Sequence, residues 1–237
     1  MAILAHEDTR IIVQGITGRE AVTFTKDMID YGTKVVAGVT PGKGGQTVHG
    51  VPVFDTVCQA VREHSAEASV ISVPPAMVKG AALEALSNGI KLLVIVAERV
   101  PQRDTVEVLE VARADGAVVI GPNSLGMINP HTVKIGMAGG PVENLKKAYM
   151  PGPVGIASRS GGMTTEVANL LTTHGIGQST CISMGGDPVV GSNFLDLVPL
   201  FDKDPDTKAI VLFCEPGGVI EERLSDVVLS EEIRTPI

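Results

Sequence analysis

Five short stretches carry groups able to do chemistry, and each stands at or near the end of an apolar run. The first is Gly15-Ile16-Thr17-Gly18-Arg19-Glu20-Ala21, directly after Arg10–Gln14, with its glycines in a G-x-x-G-x-x-A pattern. Backbone N–H groups that open a helix after such a turn face an anion, a phosphate above all. A tight strand-to-helix turn also asks for glycine on geometry alone, so the spacing leaves both readings open. The second stretch, Pro41-Gly42-Lys43-Gly44-Gly45, sets one ammonium among flexible glycines. Ser160-Gly161-Gly162 is the third, either an anion site at a helix start or an N-capping serine in a tight turn. Glu98 and Glu215 each close an apolar run. Glu98 can take a proton from a thiol or orient a partner, or simply be solvated. Glu215 can orient a histidine or cap a helix.

The Lys43 loop narrows the ligand. A nicotinamide site holds its ribose with an acidic residue about 20 positions beyond the glycine turn. None follows the strand Lys34–Thr40. A cation there suits a ligand with an extra phosphate, coenzyme A or NADP, and argues against NAD. Other chemistries find little footing. Ser158 and Ser160 lack a G-x-S-x-G context. His6, His49, His64, His131 and His174 show no ligand spacing, so no metal is expected. Gly185-Gly186-Asp187-Pro188 reads as a structural turn.

The elements that position these groups follow from periodicity. Strands are expected at 10–14, 34–40, 51–54, 68–73, 91–96 and 117–120, and helices at 20–29, 56–64, 79–88 and 104–114. Such alternation means right-handed βαβ units and a parallel sheet, with ligands beyond the strands' carboxyl ends. The Gly15 turn, Lys43, Pro74, Glu98 and Asn123 should therefore share one rim. From Gly126 to Gly152 the rhythm breaks, and 127–152 reads as a connector. The pattern then restarts, with strands at 153–157 and 209–213, a short strand within 175–186, and helices at 163–173, 194–201 and 221–230. Thr235-Pro236-Ile237 looks like the start of another strand. The expected fold is α/β, a Rossmann-like domain over 1–126 and a second, incomplete domain over 153–237.

Composition agrees. The 237 residues are 44% hydrophobic and 19% charged, with aromatics at 3% and no Trp, so Val, Ile, Leu, Ala and Met must fill the core. A net charge of −8 argues against a nucleic-acid surface. Cys58, Cys181 and Cys214 lie far apart, which fits a reducing compartment, and Cys214 reads as a small core residue. No signal peptide or membrane span is read. The expected location is the cytoplasm, or the mitochondrial matrix for a processed eukaryotic chain.

Taken in order, Gln14-Gly15-x-Thr17-Gly18, Gly38-Val-Thr-Pro-Gly-Lys-Gly-Gly45, Gly121-Pro-Asn123, Ser158-Arg-Ser-Gly161 and Gly185-Gly-Asp-Pro188 resemble the α subunit of succinyl-CoA synthetase. Related nucleoside-diphosphate-forming acid–CoA ligases and the synthetase-like part of ATP-citrate lyase share the set. The resemblance runs the length of the chain. It implies a CoA-binding Rossmann-like domain, a flavodoxin-like ligase domain, and an ATP-grasp β subunit that binds ATP or GTP with Mg2+. In that scheme a nucleotide phosphorylates a histidine, the phosphoryl group passes to a small carboxylic acid, and CoA thiolate attacks the acyl phosphate. By resemblance Thr17, Gly18, Arg19, Glu20 and Lys43 hold CoA, with Pro74 and Asn123 on the same rim and Val96, Ala97 and Glu98 near its reactive end. Ser160, Gly161 and Gly162 would meet the acid or phosphoryl group, with Thr165 nearby, and Glu215 would steady the phosphohistidine.

Three departures go with it. The family's histidine stands in a Gly-His-Ala-Gly context beyond the strand near Thr235, and none of the five histidines has that context. A fragment, a carrier on another segment, and a chain that has lost the chemistry all remain open. Cys214-Glu-Pro-Gly-Gly218 stands where Gly-Glu-Ile-Gly-Gly is usual. Thr165 stands where succinate enzymes carry tyrosine, which suggests a bulkier or differently charged acid. The alternatives are a non-catalytic CoA-binding paralogue and an NADP-dependent oxidoreductase.

Overall fold

The computed structural model of the chain describes residues 3–237. Its first half runs β1 (Arg10–Gln14), α1 (Arg19–Tyr31), β2 (Lys34–Val39), β3 (Thr47–Val48), β4 (Val51–Phe54), α2 (Val57–Glu63) and β5 (Ala68–Ile71). A 3-10 turn at Pro75–Met77 leads into α3 (Val78–Ser87), followed by β6 (Leu92–Ile95), α4 (Gln102–Ala114) and β7 (Val118–Ile120). These strands form one sheet in the order β3-β4-β2-β1-β5-β6-β7. It is parallel from β4 to β7, with β3 antiparallel at the edge. β5 and β6 are buried at every residue, as expected of apolar runs covered by helices on both faces. The chain winds outward from β1 to β4, then returns to β5 on the other side of β1. The β1–β5 crevice is thus the switch point where such sheets take ligands.

The second half contributes β8 (Gly126–Asn129), β9 (Val133–Gly136), α5 (Val142–Ala148), β10 (Pro151–Ser158), α6 (Gly161–Thr173), β11 (Gln178–Ser183), α7 (Phe194–Lys203), β12 (Ala209–Phe213) and α8 (Ile220–Leu229). Its sheet is ordered β12-β10-β11-β8-β9. β10 lies parallel to both β11 and β12, a first strand between the second and third as in flavodoxin-like folds.

The stretch read as a connector, 127–152, is more than that. It holds β8, β9 and α5, and β8 pairs antiparallel with β11 to extend the second sheet. The pairing is long-range and the strands are only four residues each, so local periodicity does not reveal them. The hairpin also covers α1. Thr33 Oγ1 donates to the Lys134 carbonyl at 2.8 Å, and the Gly136 N–H points at Met28 Sδ at 3.4 Å. One buried cluster therefore crosses both halves, joining Ile11, Met28 and Ile120 to Met127, Ile135, Met184 and Phe194.

Cys214 is exposed and not a core residue, because β12 ends at Phe213 and the thiol falls in the following turn. Partial burial, then the neighbouring Glu221 carboxylate, pushes that thiol up from its ordinary range. The expected strand at 235–237 does not form; the Pro236 carbonyl only accepts from the Ile210 N–H of β12 at 2.8 Å. Among the described residues no helix is long and apolar enough to cross a membrane.

Candidate functional site

Four loops after strands converge on one cavity of about 850 Å3. Gly18–Ala21 comes from the start of α1, Ser72–Pro75 from the end of β5, Val96–Arg99 from the end of β6, and Asn123–Leu125 from the end of β7. Met137, just after β9, adds a wall from the second half.

Local chemistry fixes each wall. Gly15 has φ +79°, and a Cβ there would overlap the Ser72 carbonyl oxygen, so the β1 and β5 turns pack backbone to backbone. α1 starts at Gly18 with no side-chain cap, which leaves the orphan N–H groups of its first turn and the helix dipole for a ligand. Arg19 and Glu20 open that helix and are exposed in the cavity. The Glu98 loop is clamped from two sides. The Asn123 N–H donates to the Ala97 carbonyl at 2.8 Å, and the Asn123 carbonyl accepts from the Gly186 N–H at 3.0 Å. The buried Asp187 carboxylate accepts from the Val100 N–H at 3.3 Å, and its carbonyl accepts from the Arg159 guanidinium at 3.1 Å. The Gly185–Pro188 turn is structural as expected, and what it holds is the Glu98 loop.

The third anion candidate borders this cavity. Ser160 Oγ accepts from the Met163 N–H at 3.4 Å, so the serine caps α6. Gly161 lies against Leu125, a cavity residue, closely enough that a Cβ would overlap its side chain. The start of α6 thus backs the Leu125 wall.

Four expected residues lie elsewhere. Thr17 turns toward the β2 end, where its hydroxyl meets Thr40 Oγ1 at 3.3 Å. Lys43 is exposed in the loop that begins there, outside the cavity lining. That loop is tied down and not free. Gly44 N–H donates to Asp55 Oδ1 at 2.9 Å, and Gly45 N–H to the Val53 carbonyl at 3.0 Å. Thr165 faces inward between α5 and α6, its hydroxyl 2.9 Å from that of buried Tyr149. Glu215 lines a second cavity of about 390 Å3 with Arg159, Asn193 and Glu221.

Sequence reasoning missed Ser72, Val73, Arg99, Ser124, Leu125 and Met137 in this cavity. Arg99 was within reach, since it directly follows Glu98 at a strand end. Met137 was not, because its position depends on the β8–β9 hairpin.

Comparison with known proteins gives a consistent picture. A family profile described as CoA binding domain matches residues 6–99, and one described as CoA-ligase matches 157–233. The α subunit 2 of an ADP-forming succinate–CoA ligase from Archaeoglobus fulgidus is 45% identical over 237 residues, which cover 100% of this chain and 80% of that one. An ADP-forming sulfoacetate-CoA ligase subunit, SqwL, from an Acholeplasma species is 41% identical over 100% of this chain and 79% of its own length. Among solved structures, ATP citrate lyase from Methanothrix soehngenii, in complex with citrate and coenzyme A, superposes with a TM-score of 0.91 at 26% identity. That match covers 99% of this chain and 40% of the lyase chain.

Proposed function

The chain belongs to the α-subunit family of ADP-forming CoA ligases, and we propose that it binds CoA and joins it to a small carboxylic acid. The observation that carries this is the single cavity between the uncapped start of α1 and the Glu98, Asn123 and Leu125 walls. In this reading the CoA 3′-phosphate lies at Lys43 beside Thr17, on the β2 side of α1. The diphosphate meets the first turn of α1 at Gly18, Arg19 and Glu20. The pantetheine arm then runs past Pro74, Val96, Ala97 and Asn123, which brings the thiol to Glu98. Glu98 takes the thiol proton, and the thiolate attacks the carbonyl carbon of an acyl phosphate. The C–O bond to phosphate breaks, leaving a thioester and inorganic phosphate. Ser160, Gly161 and Gly162 hold the acid or its phosphoryl group at the start of α6, and Glu215 orients the phosphohistidine. Thr165 enters this reading only through Tyr149, as packing behind the acid site.

None of the five histidines lines the main cavity or the Glu215 cavity, so the phosphoryl carrier is proposed to be a histidine other than these. ATP or GTP with Mg2+ is assigned to an ATP-grasp β subunit. The named acids of the relatives, succinate and sulfoacetate, each carry a second anionic group. We extend that class, succinate-like or bulkier, to this chain.

Calorimetric titration of the chain with CoA tests the reading, with dephospho-CoA and NADPH as comparisons. Saturable CoA binding, tighter than either comparison, is the expected result. Absence of CoA binding by a folded sample defeats the assignment, and NADPH binding at least as tight as CoA favours an oxidoreductase. CoA binding without ligase turnover, even with the β subunit and a histidine segment supplied, marks a non-catalytic paralogue.

A further inference from the structure

Arg99 lines the main cavity beside Glu98, and its backbone has φ +58°. That left-handed conformation is unfavourable for most residues with a Cβ, and such residues cluster at functional sites; outside the cavity Leu4, His49, His131 and Glu231 also adopt it. Asn123, on the adjoining wall, shares it with φ +57°. Two non-glycine residues thus hold left-handed backbone in one cavity. Neither can relax without breaking the clamp, because Val100 is tied to the buried Asp187 carboxylate and Asn123 to Ala97.

The fold itself makes little use of the Arg99 side chain. It is 86% exposed, and its ion pair is with Glu98 at 3.7 Å. A pair so long between exposed groups contributes little to stability. The guanidinium is therefore available to a ligand, and its planar fork suits a carboxylate or sulfonate.

Position decides which anion it meets. In the ligase reading the phosphates of CoA have their own partners at the start of α1 and at Lys43, two and three strands away across the sheet. Arg99 follows β6, at the end where the thiol and the acid must meet. Without it, Glu98 stands alone there and repels an incoming anion. We propose that Arg99 is a specificity-determining residue, pairing with the second anionic group of the acid and offsetting Glu98. This rests on the ligase reading above.

The test uses the chain purified with its β subunit and with the histidine segment supplied, and compares succinate, sulfoacetate and propionate. Arg99→Gly suits the left-handed backbone and so does not threaten folding, and Arg99→Lys keeps the charge. The expected result for Arg99→Gly is an acid KM raised at least tenfold for the dianionic acids. The kcat/KM ratio of succinate to propionate falls by a similar factor, while the KM for CoA moves less than twofold. Arg99→Lys recovers most of the ratio. An unchanged ratio, a rise in CoA KM instead of acid KM, or equal use of propionate and succinate by the native protein overturns the assignment. CoA binding by the native protein without turnover of any acid overturns it as well. Loss of CoA binding in the native protein instead removes the ligase reading, and the Arg99 role falls with it.

Discussion

Lys134 Nζ lies 3.9 Å from the Asp27 carboxylate with the lysine side chain fully buried, bridging β9 of the second sheet to α1 of the first. Nζ also donates to the Gly140 carbonyl at 3.0 Å. Burial outweighs the attraction of Asp27 and brings the ammonium down from 10.5 to about 8. The sign follows from proton counting. Between pH 8 and 10.5 the unfolded chain holds a proton that the folded chain has released, so this group makes stability rise with pH across that window. Below pH 8 the full penalty of a buried charge is present, on the order of 3 kcal/mol. Lys134→Met keeps the stem and removes the charge, while the Gly140 carbonyl loses a donor worth about 1 kcal/mol. The variant should be more stable by about 2 kcal/mol at pH 7, and the gap should shrink by pH 9.5. Urea denaturation of both proteins at the two pH values measures it. A gap that does not change with pH would show that the charge is not the cause.

Gly15 and Gly42 both have positive φ, +79° and +75°, yet they should differ sharply on substitution. A Cβ at Gly42 meets nothing within 4 Å, so Gly42→Ala loses only about 1 kcal/mol for its backbone conformation. At Gly15 the methyl group would enter the Ser72 carbonyl and the Val73 side chain, prising apart β1 and β5 at the ligand crevice. Gly15→Ala should lose more than about 3 kcal/mol and bind CoA at least tenfold more weakly. Thermal unfolding and CoA titration of the two variants make the comparison. Equal losses would mean that conformation alone, and not the close approach, explains both glycines.

Much of this was legible before any coordinates. β1, β4 and β12 match their expected limits residue for residue, because each is a short apolar run cut off by turn residues. Parallel topology then places strand-end residues on a common rim, which is why Glu20, Pro74, Glu98 and Asn123 meet although they are far apart in the chain. The hairpin of β8 and β9 escaped notice because Lys134 interrupts its apolar pattern, and only the fold reveals that the lysine is buried. Thr165 and Glu215 could be placed on the right elements. Which neighbour each side chain reaches depends on helix rotation and loop path, and short-range pattern does not encode those. For Thr165 the neighbour is Tyr149, whose hydroxyl burial pushes well above its ordinary range.

Lys43 offers a clean electrostatic prediction because its loop is braced by Asp55 and Val53 whatever the side chain. Lys43→Ala should leave the fold intact and weaken CoA about fivefold, near 1 kcal/mol for one exposed charge contact. Dephospho-CoA should bind both proteins alike. The difference should also fade between 50 mM and 500 mM salt, as screening shortens the reach of the ammonium. Titrations at both salt concentrations read this directly. Equal weakening of CoA and dephospho-CoA would move the lysine from the 3′-phosphate to another part of the ligand.

Asp202 governs the edge of the second sheet. Its Oδ1 accepts from the Arg234 N–H at 3.0 Å, and from the Thr235 N–H and hydroxyl at 2.8 Å each. Burial works against the charge, but these donors prevail and hold the carboxyl below its ordinary 3.8. The stabilisation is therefore present above pH 3.8 and is lost as pH falls through the lower folded value. The same contacts keep Pro236 where its carbonyl can accept from Ile210 in β12. Asp202→Ala should release that segment without unfolding the sheet, since the β10 side of β12 is paired independently. Hydrogen exchange is the direct measurement. The Ile210 amide should exchange at least tenfold faster in the variant, while amides of β10 keep their protection. Unchanged protection at Ile210 would mean that strand pairing, and not the Asp202 carboxylate, anchors this edge.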